Sequence, residues 1–147
     1  MSTAARSERS EPRPDLWVCS LGTVAYRDAL ALQERVRAAR QRGALPDTLL
    51  LLEHPPVYTR GRRAGAEDLP FGEGFYRERG IEVVDTDRGG RITYHGPGQL
   101  VGYPIIDLKP DRCDVHRYVR DLEEVLSEAH PARTRVERDR RTVVPVF

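Results

Sequence analysis

Arg88, Arg91 and His95 fall within one short stretch, Arg88 to Gln99, that also carries Gly89, Gly90, Gly96 and Gly98. A guanidinium is a planar fork that can hold a carboxylate, a phosphate or a carbonyl in fixed orientation. Glycines beside it let backbone amides approach a ligand closely. An imidazole with an ordinary pKa of about 6.5 exchanges protons at neutral pH. Gln99 adds an amide that can position a carbonyl. From pattern alone the stretch is either a ligand-lining site or a β-hairpin with a Gly-Pro-Gly tip and a glycine-rich entry loop.

The elements that must position these groups follow from periodicity. Arg91 to His95 alternates, so a strand there sends Ile92 and Tyr94 to one face and Arg91, Thr93 and His95 to the other. Gly96-Pro97-Gly98 breaks it, and Leu100 to Ile106 resumes as an apolar strand, completing the predicted hairpin. Upstream, Leu16 to Leu21 is a strand closed by Gly22, and Thr23 is the predicted N-cap of a helix. That helix carries Ala25, Ala29, Leu32, Val36 and Ala39 on one stripe, with Arg35, Arg37 and Arg40 towards solvent and Gly43 as its stop. Thr48 to Glu53, with its run of leucines, is predicted as a central strand buried on both faces. His54-Pro55-Pro56 takes the chain out of the sheet, since neither proline has an amide to donate, and His54 braces the neighbouring loop. Val57 to Thr59 is a second short strand.

Arg60-Gly61-Arg62-Arg63-Ala64-Gly65 is either a solvated turn or a clamp on an acidic ligand or partner. From Glu67 to Gly80 the pattern is irregular, with Phe71, Phe75 and Tyr76 the predicted anchors of a loop or short helix; Ile81 to Val84 is a strand, and Asp85 to Gly90 is a turn. Asp114 caps a last helix with Val115, Tyr118, Val119, Leu122, Val125 and Leu126 as its buried stripe. His116 and His130 have no partner pattern.

The 147 residues suit a single domain. A net charge of +1 argues against a general nucleic-acid binder, and aromatic residues do not interleave with the arginines as stacking platforms require. Lys109 is the only lysine. Cys19 and Cys113 form neither a disulfide framework nor a zinc pattern, so reduced thiols are expected. No apolar run reaches the roughly 20 residues that span a bilayer, and the polar first 15 residues lack a signal's apolar middle. A soluble, cytoplasmic protein without a membrane partner is the expectation.

Two blocks carry a family resemblance. The string RGGRITYHGPGQLVGYPIIDL, residues 88–108, resembles the signature of the lipoyl(octanoyl) transferases, and LEHPPVYT, residues 52–59, is similar to a second block of that family in the right order. The resemblance implies an α/β (α+β) fold, a mixed β-sheet with flanking helices similar to the catalytic domain of lipoate and biotin protein ligases. It implies transfer of an octanoyl or lipoyl group from acyl carrier protein to a lysine of lipoyl domains, those of the 2-oxoacid dehydrogenase complexes and of the glycine cleavage H protein. It implies no metal or nucleotide cofactor. It also implies that Arg88, Gly89, Gly90, Arg91, Ile92, Thr93, Tyr94 and His95 bind the acyl substrate, as the wall of a slot for a fatty thioester, with Ile92 and Tyr94 possible core residues facing away.

The resembling region runs from residue 16 to 127. Residues 1–15 read as a disordered lead, being poor in large apolar side chains. Residues 128–147 form a divergent arginine-rich tail. The family's nucleophilic cysteine, in a PCG-like segment, and its activating lysine, in a GKIAAIG-like strand, have no counterpart, because Cys19, Cys113 and Lys109 stand in other contexts. The expectation is a domain incomplete at its C-terminal side, truncated by a frameshift or a natural short form, with no residue for a covalent acyl intermediate and an uncovered sheet edge. An ATP-dependent lipoate or biotin ligase is one alternative reading, favoured less by the HGPGQ turn. A non-catalytic fragment binding acidic partners through its arginines is the other.

Overall fold

Residues 15–110 and 113–129 are described by the computed structural model. Leu16–Thr23 (β1) and Asp47–Glu53 (β2) pair in parallel, which the helix between them, Tyr26–Gln41 (α1), makes possible by returning the chain to the same end. Val101–Ile105 (β6) joins the other side of β2 antiparallel, so β2 is central in the order β1-β2-β6. Val57–Arg60 (β3) centres a second sheet, parallel to Glu82–Asp85 (β4) and antiparallel to Ile92–His95 (β5). Gly72–Arg77 (α2) packs on β4, α1 packs on β6, and Val115–Ala129 (α3) follows. The class is the mixed α+β one with flanking helices that the sequence implies, its strands split between two three-stranded sheets.

The core sits where these layers meet, with Ala29, Leu50, Leu52, Val57, Thr59, His54 and Val84 each no more than 2 % exposed. Gly43, at φ +71°, ends α1 where a left-handed residue is needed. Asp114 caps α3, its Oδ1 accepting from the Arg117 amide at 3.1 Å.

Several expectations are corrected. No hairpin forms: β5 and β6 belong to different sheets, and the Gly-Pro-Gly turn is a crossover between them. Each strand pairs elsewhere, β5 with β3 and β6 with β2. β1 runs on through Gly22 to Thr23 over a register irregularity, so Ala25 occupies the N-cap of α1 without a side-chain hydrogen bond. Ala25 is therefore exposed, and Gln33 joins Ala29 and Val36 as the buried residues of α1. Arg40 turns inward, where its Nε donates to Asp47 Oδ1 at 2.6 Å.

In β2 only Thr48, Leu50 and Leu52, which share one face, are buried, and the alternate residues Asp47, Leu49, Leu51 and Glu53 are half-buried. None of the α3 stripe is buried, as no described element packs closely on it: Val125 is 60 % exposed and Leu126 58 %. Phe71, at 67 % exposed, lies on the Phe75 ring at the surface. The predicted lead and tail fall, apart from residues 15, 128 and 129, outside the described residues.

Candidate active site

Pairing of β5 with β3 decides which way its side chains point. Val57 faces His95 and Thr59 faces Thr93 on the inner side, while Tyr58 faces Tyr94 and Arg60 faces Ile92 on the outer side. The sequence's division of faces is the one observed for Ile92 to His95. Tyr94 stays 44 % exposed on the outer side, against the Tyr58 ring at 5.2 Å. Ile92 and Thr93 are half-buried.

The loop that delivers β5 is held by the one that leaves β3. Gly61 N–H donates to Arg91 O at 2.6 Å, Arg62 N–H to Arg88 O at 3.0 Å and Arg63 N–H to Gly90 O at 3.0 Å. The contact is flush because Gly61 has no side chain: a Cβ there would lie 2.6 Å from Gly90 O and 2.8 Å from Gly89 O. The cationic loop and the glycine loop are thus one two-layered unit.

Arg88 and Arg91 spend their hydrogen bonds on the protein. Arg88 Nη2 donates to Thr59 O at 2.6 Å and to Thr59 Oγ1 at 2.8 Å, and its Nη1 to Gly89 O at 3.0 Å. Burial pulls its pKa below the ordinary arginine value, opposed by the nearby Tyr26 hydroxyl. Arg91 Nε donates to Asp68 Oδ1 at 2.9 Å, and its Nη2 binds Glu67. That hydrogen bond with Arg91 is the main cause holding Asp68 below the usual carboxylate range. Arg60 is likewise paired, with Asp85 and Glu73. Arg62 and Arg63 are exposed and make no ion pair among the described residues.

His95 has a different setting. Its ring is half-buried, stacked on Tyr26 at 6.2 Å and edge-on to His54 at 5.7 Å. Nδ1 lies 2.6 Å from Gln99 Oε1, so the amide of Gln99 serves the imidazole. Burial first, with smaller contributions from His54 and Arg88, lowers the His95 pKa from its usual 6.5, against the opposing pull of Gln99. His54 is 0 % exposed and uses both nitrogens, Nδ1 on Val24 O and Nε2 on the Tyr103 hydroxyl, each at 2.7 Å. A carbonyl only accepts, so in the neutral ring Nδ1 carries the hydrogen and Nε2 accepts from Tyr103. Burial raises the pKa of both Tyr103 and Tyr26.

The structure therefore gathers Arg88, Gly89, Gly90, Thr93 and His95 along one inner edge with Tyr26, His54 and Tyr103, and turns Ile92 and Tyr94 away. Tyr26, Thr59 and Tyr103 were not singled out from sequence, since each looks like an ordinary strand or helix residue until two sheets meet. Pro97, Gly98 and Gln99 are exposed, with the turn tied to β2 by the Gly98 amide on Glu53 Oε2 at 2.8 Å. An open depression of about 350 Å³ lies elsewhere, lined by Arg27, Arg77, Gly80, Ile81, Glu82 and Val83. Among the described residues no group of acidic, histidine or cysteine side chains could hold a metal ion, and no helix is long and apolar enough to cross a membrane.

Comparison with known proteins places this geometry among relatives. Residues 25–141 match the family described as Lipoyl protein ligase A/B catalytic domain, a match that runs past residue 127 where the resemblance read from sequence ends. An octanoyltransferase of Rubrobacter xylanophilus is 57 % identical over 109 residues, 74 % of this chain and 48 % of its own length. One from Corynebacterium jeikeium is 50 % identical over 125 residues, 85 % of this chain and 49 % of its own. One from Rhodococcus jostii is 52 % identical over 126 residues, 86 % of this chain and 45 % of its own. The chain thus spans about half the length of these curated relatives.

Among solved structures, a lipoate protein ligase of T. acidophilum with bound lipoic acid superposes with a TM-score of 0.61 at 23 % identity, over 78 % of this chain and 46 % of that one. Lipoate-protein ligase A bound with ATP gives 0.62 at 22 % identity, over 78 % and 45 %. At such identities these two establish the fold alone.

Proposed function

Because the chain belongs to the lipoyl protein ligase A/B catalytic-domain family, we propose that it serves octanoyl transfer, the passing of an octanoyl or lipoyl group from acyl carrier protein to a lysine of lipoyl domains. The carrying observation is the identity of about half or more to octanoyltransferases over 74 to 86 % of the chain, against 23 % or less to the ligase structures. Arg88 to Arg91 then line the acyl site with Thr93 and His95, while Ile92 and Tyr94 back them from the outer face. Arg88 and Arg91 act by holding the loop in shape rather than by gripping the substrate, since their forks are occupied by Thr59, Gly89, Asp68 and Glu67. The flush glycine layers leave the backbone of residues 88–91 as the surface along which an extended acyl-pantetheine arm runs.

The partners fit the same surface. Acyl carrier proteins and lipoyl domains are acidic in the reading the family implies, and Arg62 and Arg63, without an ion pair among the described residues, stand on the loop stacked against Gly89 and Gly90. Opposite charge there speeds encounter and sets orientation.

Binding of octanoyl-pantetheine to the full chain, followed by titration calorimetry, tests the reading: saturable binding lost in Gly90→Val is expected. Absence of binding overturns it. Pyrophosphate release from ATP with lipoate or biotin would instead favour the ligase.

A further inference from the structure

The crossover between β5 and β6 is a closed turn with one side chain folded back on the site. Gln99 N–H donates to Gly96 O at 3.1 Å, and between them Pro97 precedes Gly98 at φ +84°, the order that a type II turn demands. The turn is pinned from two sides. Gly98 N–H donates to Glu53 Oε2 at 2.8 Å, and the Tyr94 side chain lies against Gly96, where a Cβ would meet the Tyr94 hydroxyl at 2.5 Å. None of these contacts uses the side chain of Gln99, yet together they fix its backbone beside the end of β5. Gln99 is exposed, and its side-chain oxygen lies on His95 Nδ1 at 2.6 Å instead of facing water alone.

That oxygen only accepts, so Nδ1 carries the hydrogen, and the neutral ring keeps Nε2 as an acceptor. The ring itself is held in place, stacked on Tyr26 with the two planes 14° apart and edge-on to His54. We propose that Gln99 is a positioning residue that holds His95 in the Nδ1–H tautomer, so that Nε2 meets the bound acyl donor as an acceptor and favours an arm that offers an N–H. The proposal rests on the acyl-site reading above. An acyl-pantetheine arm offers such groups in its amides, whereas the octanoyl thioester of a simple alkyl thiol has none. With the hydrogen on Nε2 the same ring would face an amide N–H donor to donor, and the preference would vanish.

The groups that face the ring decide that tautomer, and not charge, is what matters. They are Tyr26 from α1, His54 from the end of β2, Arg88 from the glycine loop and Gln99 from the crossover. Burial foremost, then His54 and Arg88, holds the His95 pKa below its ordinary 6.5, and Gln99 pulls the other way. The Glu53 carboxylate is engaged by the Gly98 amide. The ring is therefore mostly uncharged at neutral pH.

The test uses the full chain with nitrogen-labelled histidine and reads the His95 ring by NMR. Wild type should show Nδ1 protonated and Nε2 bare. Gln99→Met keeps the length of the side chain without its oxygen, and it should move the hydrogen to Nε2 and lower the His95 pKa further. Gln99→Glu should restore the Nδ1–H form and raise the pKa above wild type, an effect that a merely structural glutamine would not produce. Because the bonds of the turn are made by backbone amides, the urea midpoint of Gln99→Met should match wild type. Calorimetry with octanoyl-pantetheine and with S-ethyl octanethioate then reads the preference, which should fall about tenfold in Gln99→Met. It should return in Gln99→Glu at a pH above the raised pKa. Hydrogen on Nε2 in wild type, an unchanged tautomer in Gln99→Met, or an unchanged preference each overturns the role of Gln99 and leaves the acyl site standing. Failure of wild type to bind either thioester overturns both.

Discussion

Replacing Gly61 by alanine puts a methyl group into the seam between the two loops that build the site. The new carbon would sit 2.6 Å from Gly90 O, 2.8 Å from Gly89 O and 3.0 Å from Arg88 Nη1. The two nearest atoms are backbone oxygens, so no side-chain rotation clears them, and ordinary contact requires the loops to part by about 0.8 Å. Moved by that much, the bonds Arg62 N–H to Arg88 O and Arg63 N–H to Gly90 O, now 3.0 Å, pass beyond hydrogen-bonding range. Overpacking costs about 1–3 kcal/mol and each weakened bond about 1 kcal/mol. We expect a net loss of about 3–5 kcal/mol, a roughly 150- to 5,000-fold fall in the folding constant. Urea unfolding of the full chain, followed by far-ultraviolet circular dichroism, measures it as a lower midpoint at unchanged slope. Gly74→Ala is the control: nothing lies within 4 Å of its site in α2, and the helix should gain up to about 1 kcal/mol. If Gly61→Ala comes within about 0.5 kcal/mol of wild type, the seam carries no weight and the argument from close approach is wrong.

Three further outcomes follow from the same geometry. His54→Leu should cost about 2–4 kcal/mol by stranding Val24 O and the Tyr103 hydroxyl, and a loss below about 1 kcal/mol in the same unfolding assay would count against the buried network. The His95 pKa is lower folded than unfolded, so the stability it contributes is present above pH 6.5 and is lost as pH falls through the folded value. Wild type should therefore lose more stability than His95→Gln between about pH 7.5 and 5.5, and equal losses would refute the shift. Arg62→Glu with Arg63→Glu should weaken binding of octanoyl-acyl carrier protein about tenfold at low salt and little at high salt, measured by fluorescence anisotropy. An unchanged affinity would remove these arginines from the docking surface.

Local pattern was legible where the physics is local. Alternation in residues 92–95 assigned the faces of β5, the leucine run located the central β2, and Asp114 and Gly43 marked helix ends as capping chemistry requires. The two motif blocks named the family before any coordinates, since they record the residue order that the fold brings together. What alternation cannot carry is which strand pairs with which. Two neighbouring strands around a Gly-Pro-Gly turn look like a hairpin, yet β3 and β2 each offered β5 and β6 a separate ladder.

That choice of partners decided the site. It put Thr59 under Arg88, Tyr26 against His95 and Tyr103 on His54, contacts spanning 29, 69 and 49 positions of chain, which no window of sequence contains. The sequence by itself supplied an arginine, two histidines and their glycines. Only the tertiary structure decided that the arginine is a strut, that one histidine has both nitrogens engaged, and that the other has one nitrogen without a partner among the described residues, because hydrogen-bond capacity is consumed by whatever the fold brings within about 3 Å.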